Sequence, residues 1–110
     1  MTATEKYNGW TNYETWAVNL HLTNDQGTDS YWREEAARQW EAAVQRPDYF
    51  SRSEAARYAL AEQLKDEIEY GVPDLGCTLY GDLLNAALKE VDWNDIADGF
   101  LADFDGYESK

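Results

Sequence analysis

Few side chains in this 110-residue chain belong to types that do covalent or metal chemistry: one histidine, His21, one cysteine, Cys77, and 22 Asp and Glu. A nucleophile–histidine–acid arrangement would need His21 beside a serine or Cys77, and no strand–turn–helix serine motif is present. His21 is therefore read as a helix-end or packing residue and Cys77 as a small buried hydrophobe. A lone cysteine excludes an internal disulfide and a multi-cysteine zinc site. No run of glycines has the spacing that cradles a phosphate. Asp103-Phe104-Asp105-Gly106 echoes part of an EF-hand loop, but with Gly106 in the loop's sixth position the final Glu would fall beyond residue 110. The sequence thus assigns no catalytic, cofactor-binding or metal-ligating residue, and the chain is not expected to be an enzyme.

Charge is the more informative signal. The formal net charge is −13, and between Glu90 and Glu108 lie Asp92, Asp95, Asp98, Asp103 and Asp105 without one Lys or Arg. At about 100° per residue, Asp92, Asp95, Asp98 and Asp103 fall on the side of a helix opposite its apolar set. A second stripe, Glu62, Asp66 and Glu69, recurs at i,i+4,i+7 opposite Leu60, Leu64 and Ile68, with Lys65 and Arg57 as partial compensation. Like charges at these spacings destabilise a helix by a few tenths of a kcal/mol per pair. Carboxylates stepped about 5–6 Å apart along a helix can imitate the phosphates of a nucleic acid. The same charge repels nucleic acid and anionic lipid, so direct binding to either is not expected.

The elements that must position these groups are helical. Thr11-Asn12-Tyr13-Glu14 has the spacing of a capping box and predicts a first helix over about 12–22, with Tyr13, Trp16, Ala17 and Leu20 on its apolar face. Asn24-Asp25-Gln26-Gly27 reads as a turn, after which Asp29 or Ser30 caps a helix over about 30–45 carrying Trp32, Ala36, Trp40, Ala43 and Val44. Glu34 and Arg38 are spaced as an ion pair on its outer side. Ser51-Arg52-Ser53-Glu54 is a second capping box and opens a helix over 52–70, with Phe50 placed for a hydrophobic staple. Thr78 caps a helix over 78–90 whose apolar face is Leu79, Leu83, Leu84, Ala87, Leu88 and Val91, and Asp92 caps the last, over 93–104. Gly81 and Gly99 fall inside helices and imply close packing there. An all-α fold follows: a compact bundle of four to five helices in one domain spanning 1–110, with short arms at about 1–10 and 105–110. Trp16, Leu20, Trp40, Leu60, Leu64, Leu84, Ile96 and Phe100 are its expected core.

The segment Tyr7-Asn8-Gly9-Trp10-Thr11-Asn12-Tyr13-Glu14-Thr15-Trp16, with Ala17-Val18-Asn19-Leu20 after it, resembles a family of small proteins of unknown function encoded by bacteriophages, plasmids and other mobile elements. The likeness continues into Leu83-Leu84-Asn85-Ala86-Ala87-Leu88 and Val91-Asp92-Trp93-Asn94-Asp95-Ile96-Ala97. It carries no activity to transfer. It implies a setting in which very acidic proteins act as anti-CRISPR or anti-restriction inhibitors by mimicking nucleic acid. The expectation is a cytoplasmic inhibitor in a bacterial host, monomeric or homodimeric, that binds a basic nucleic-acid-binding host protein or complex through Glu62, Asp66, Glu69, Glu90, Asp92, Asp95, Asp98, Asp103, Asp105 and Glu108. The alternative is a protein–protein interaction module using exposed aromatics of the N-terminal motif, with Trp10, Asn12 and Thr15 as contacts. Capping accounts for Thr11 and Glu14 in that motif, and packing for its aromatics; Asn12 and Thr15 receive no structural role from the sequence.

Overall fold

The computed structural model describes residues 6–44 and 50–110, and among them it contains five α-helices and no strand: α1 (Tyr13–Asn24), α2 (Gln26–Ala42), α3 (Arg52–Tyr70), α4 (Leu79–Lys89) and α5 (Trp93–Leu101). The all-α bundle is as the periodicities require. Helices α3 and α5 pack along each other most extensively, α2 lies against both, and α1 crosses α2 and α5. Between them they bury Leu22, Trp32, Ala36, Trp40, Ala56, Leu60, Ala61, Leu64, Val91, Trp93, Ile96, Ala97, Phe100 and Leu101. Of the expected core, Trp40, Leu60, Leu64, Ile96 and Phe100 are buried, Trp16 and Leu84 are half-buried, and Leu20 is 42% exposed. In α1 the inward face belongs instead to Thr15, Val18 and Leu22.

Caps set most of the boundaries, though not always the expected ones. The Ser51–Glu54 capping box is present in full, and Thr78 and Asp92 cap α4 and α5. Asn12, and not Thr11, caps α1, by accepting from the Thr15 amide. Asp25 caps α2, so the expected turn at 24–27 shrinks to a single residue and Gly27 is helical. The Asp25 carboxylate accepts from both the amide and the hydroxyl of Thr28 at 2.9 and 2.8 Å, which holds its pKa below the usual 3.8. The end of the expected helix over 30–45 reaches residues outside the described ones; α2 itself stops at Ala42. Arg38 pairs with Glu35 at 3.2 Å and not with Glu34. Helix α5 ends at Leu101, three residues early, and Phe104 stacks on Trp40 across a 6.3 Å centroid separation.

Two elements depart from the sequence reading in ways that matter below. Asn8 and Gly9 both adopt positive φ (48° and 86°), forming a tight turn that pairs Tyr7 with Trp10 through two 2.8 Å backbone hydrogen bonds. Asn-Gly is a preferred pair for this geometry. Helix α4 has no other helix packed closely along it. Its Leu84, Ala87 and Leu88 turn partly inward while Leu79 and Leu83 are 67% and 59% exposed. The radius of gyration, 15.0 Å, accordingly exceeds the roughly 13 Å of a spherical chain of this length.

Candidate functional site

The start of α1 meets the turn between α4 and α5, and nearly every polar atom at that junction is used. Asn12 Oδ1 accepts from the Thr15 amide (2.9 Å) and hydroxyl (2.6 Å), while its Nδ2 donates to the Glu90 carbonyl at 2.6 Å. Glu90 is the C-cap of α4, so this bond satisfies one of the carbonyls that a helix end leaves without an intrahelical partner. Thr15 is 0% exposed, and its hydroxyl oxygen accepts from the Asp92 amide at 2.9 Å. Asn12 and Thr15 therefore clasp the 90–92 turn from both sides. Thr11 extends the clasp: its amide donates to Asp95 Oδ2 at 2.9 Å, and its hydroxyl lies 2.9 Å from Asp92 Oδ2 and 3.0 Å from Asp95 Oδ2. The Thr11 amide is thus committed to Asp95, not to Glu14.

This clasp corrects the reading of the acidic face of α5. Asp92, Asp95 and Asp98 do not stand free in solvent as a row of phosphates would. Asp92 caps the helix through the Asp95 amide, and Lys110 Nζ lies 3.4 Å from Asp92 and 3.7 Å from Asp95. Burial pushes the Asp92 carboxyl upward in pKa, but the Thr11 hydroxyl, the Asp95 amide and Lys110 together outweigh it, so the group sits below 3.8. Both carboxylates also lie at the positive end of the α5 dipole. Asp98 accepts from the Tyr107 hydroxyl at 2.6 Å and lies 3.7 Å from Arg57, which in turn donates to that hydroxyl at 2.9 Å. Burial, followed by the Asp98 hydrogen bond, pushes Tyr107 up to about 12. The C-terminal arm at 105–110 is held along α3 and α5 by these bonds and by the Glu108 amide on Ser53 Oγ at 2.8 Å.

The remaining acids stay outside. Glu62, Asp66 and Glu69 form an exposed row along α3, and Glu90, Asp105 and Glu108 are exposed as well. Asp103 is exposed, with Arg33 only at 3.9 Å. Arg57 gives the α3 row no compensation, because it is turned to Asp98 and Tyr107. Among the described residues, neither Lys65 nor any other cation forms an ion pair with Glu62, Asp66 or Glu69.

The proposed aromatic contacts divide in the same way. Trp10 is half-buried, and its ring edge lies 3.2 Å from where a Cβ on Gly99 would stand, which accounts for a glycine inside α5. Asn12 and Thr15 are engaged in the clasp, with Thr15 fully buried. Tyr7, Tyr13 and Trp16 form a cluster with ring centroids 5.0–5.5 Å apart, of which Tyr7 and Tyr13 are exposed. The Asn8-Gly9 pair is the sequence signal that could have located this cluster.

His21 is exposed in the last turn of α1, and Cys77, expected to be buried, is exposed in the loop before α4. Among the described residues no group of three His, Cys, Asp or Glu is placed to hold a metal ion. No helix there is long and apolar enough to cross a membrane.

The sequence profile of DUF7249, described as a family of unknown function, matches residues 3–101, and the chain belongs to that family. No curated protein and no solved structure matches it. The match contains both halves of the clasp, residues 11–15 and 90–95.

Proposed function

We propose that this DUF7249 protein is a non-catalytic acidic inhibitor that occupies the nucleic-acid-binding surface of a basic partner, its exposed carboxylates standing in for phosphates. The observation that carries this reading is the α3 row: Glu62, Asp66 and Glu69 are exposed and unmatched by a cation among the described residues, on a chain of net charge −13. Successive members lie four and three residues apart, or about 6 and 4.5 Å along the helix axis. With Asp92, Asp95 and Asp98 tied up internally, this row replaces α5 as the proposed contact, and Glu90, Asp103, Asp105 and Glu108 are further exposed acids. Resemblance to proteins of mobile elements supplies the partner class, a host defence complex of the CRISPR or restriction kind in the bacterial cytoplasm.

Immobilised protein should retain a nucleic-acid-binding component of a bacterial lysate. Duplex DNA should displace that component, and rising salt should release it, because exposed charge pairs are screened within about 8–10 Å at physiological ionic strength. The triple variant Glu62→Gln, Asp66→Asn, Glu69→Gln should lose retention while melting at the same temperature or higher, its like-charge repulsion having been relieved. Retention that ignores both salt and the triple variant refutes the mimic. Loss on Tyr13→Ala instead favours the second reading, a protein-binding module built on the exposed Tyr7–Tyr13–Trp16 cluster.

A further inference from the structure

Helix α4 is amphipathic twice over. One side packs inward, with Leu88 and the following Val91 against the core, Leu84 half-buried and Gly81 under the loop at 75–78; the other carries Leu79, Tyr80, Leu83 and Ala86, with Tyr80 72% exposed. At about 100° per residue these four fall within a sector of roughly 120°. Monomeric proteins rarely leave a contiguous apolar stripe of this kind uncovered. Asp82 and Lys89 lie together on one flank of the stripe, seven residues and two turns apart. Among the described residues neither forms an ion pair, although Glu69 lines the same groove as Lys89. Within a chain of net charge −13, the helix itself is neutral.

We propose that this outward face of α4 is a self-association surface, paired antiparallel with α4 of a second copy. The flank charges select both the occupant and the direction. When two identical helices meet antiparallel about a two-fold axis, each flank meets the same flank of its partner, so Asp82 faces Lys89 of the other copy and Lys89 faces its Asp82. A parallel pairing would set that flank against the Tyr80 side and leave both charges unmatched. In the antiparallel register Leu83 and Ala86 of the two helices interdigitate at the centre, where the alanine permits close approach. Glu90 then lies beside the first turn of the partner's α4, where the helix dipole favours an anion. An isologous contact of this kind closes on itself and stops at a dimer. The helix has eleven residues, about 16 Å, too short to cover the roughly 800 Å² per partner of a standard stable interface, so the dimer is a weak, reversible one.

Sedimentation over about 5–500 µM should show a monomer–dimer equilibrium. Leu83→Glu should abolish the dimer with an unchanged circular dichroism spectrum, because Leu83 lies outside the core. Asp82→Lys and Lys89→Glu should each weaken dimerisation about tenfold, since each sets two like-charged pairs in contact. The double variant Asp82→Lys/Lys89→Glu should restore the parental value, and an equimolar mixture of the two single variants should form a heterodimer. Cys77 gives an independent check, because the antiparallel arrangement puts the two copies of this exposed cysteine, each in the loop before Leu79, at opposite ends of a helix pair whose Leu79 positions are about 20 Å apart. Spin labels on Cys77 should report a separation of that order, and mild oxidant should not link the chains. A chain that stays monomeric across the range assigns the face to a different protein and overturns the proposal. Failure of the charge swap to restore the dimer, or ready Cys77 cross-linking, overturns the antiparallel pairing. None of these readouts depends on the acidic row of α3.

Discussion

Replacing Thr15 by Val removes one hydroxyl and nearly nothing else, and the clasp should feel it strongly. The side chain is 0% exposed, so the isosteric methyl enters the same space without meeting solvent. Two hydrogen bonds disappear. Asn12 Oδ1 keeps its bond from the Thr15 amide, so the loss there is modest. The Asp92 amide, however, loses its acceptor at the very start of α5. A buried donor left unsatisfied costs about 1–3 kcal/mol, and the net contribution of the other bond adds about 0.5–1 kcal/mol. A loss near 2 kcal/mol lowers the melting temperature of a domain of this size by about 8 °C. Thermal and urea melts of Thr15→Val beside Thr15→Ser, which keeps the hydroxyl, would measure it. Asn12→Ala combined with Thr15→Val should cost less than the sum of the two single changes, because they share one network. A Thr15→Val protein melting within about 2 °C of the parent would refute the clasp as the reason this threonine stands here.

Gly81→Ala should destabilise α4 by about 1–3 kcal/mol, since the new Cβ would stand 2.6 Å from the Gly76 carbonyl oxygen and backbone must move to admit it. Helix propensity alone predicts a gain of about 1 kcal/mol, so the sign of the change in urea melts, with α4 amide exchange as a local probe, decides between them. Tyr107 should ionise near pH 12, above the ordinary tyrosine value of about 10. Its folded pKa lies above its unfolded value of about 10, so the stability it contributes is complete below pH 10 and disappears as the pH rises toward 12. A phenolate titration in which Tyr107→Phe lacks no late-ionising component would contradict this.

Where one helix face meets one core, the sequence was readable. Leu60 and Leu64, and Ile96 and Phe100, each recur at i,i+4, and the structure buries all four. The Ser51, Thr78 and Asp92 caps were equally plain, because a cap is a local bond between residues three apart. What periodicity could not show was which of two polar neighbours serves as cap. Thr11 and Asn12 are both good N-cap residues, and the choice fell to Asn12 because Thr11 is claimed by Asp92 and Asp95, more than 80 positions away in sequence. The same long-range pairing hid the fate of the α5 carboxylates. A helical wheel places them opposite the apolar face, but it is blind to the C-terminal arm that brings Tyr107 and Lys110 back across them. Helix α4 misled for another reason: a broad apolar face reads the same whether the bundle covers half of it or all.

The clasp also bears on the order in which the chain can assemble. Residues 11–15 are made early and their partners at 90–95 some 80 residues later, so α1 can cap itself through Asn12 but cannot acquire its clasp contacts while the chain is being elongated past α2 and α3. Helices α2 and α3 are near neighbours in sequence and pack on each other, which lets that pair form from local encounters. The bonds that residues 11–15 make to the turn at 90–95 must wait for α5. Closing so long a loop carries an entropic cost that grows only logarithmically with length, but it falls due before any contact of the clasp is made. The clasp therefore closes last, once α5 is made, even though α1 and α2, separated by one residue, can pack on each other before then.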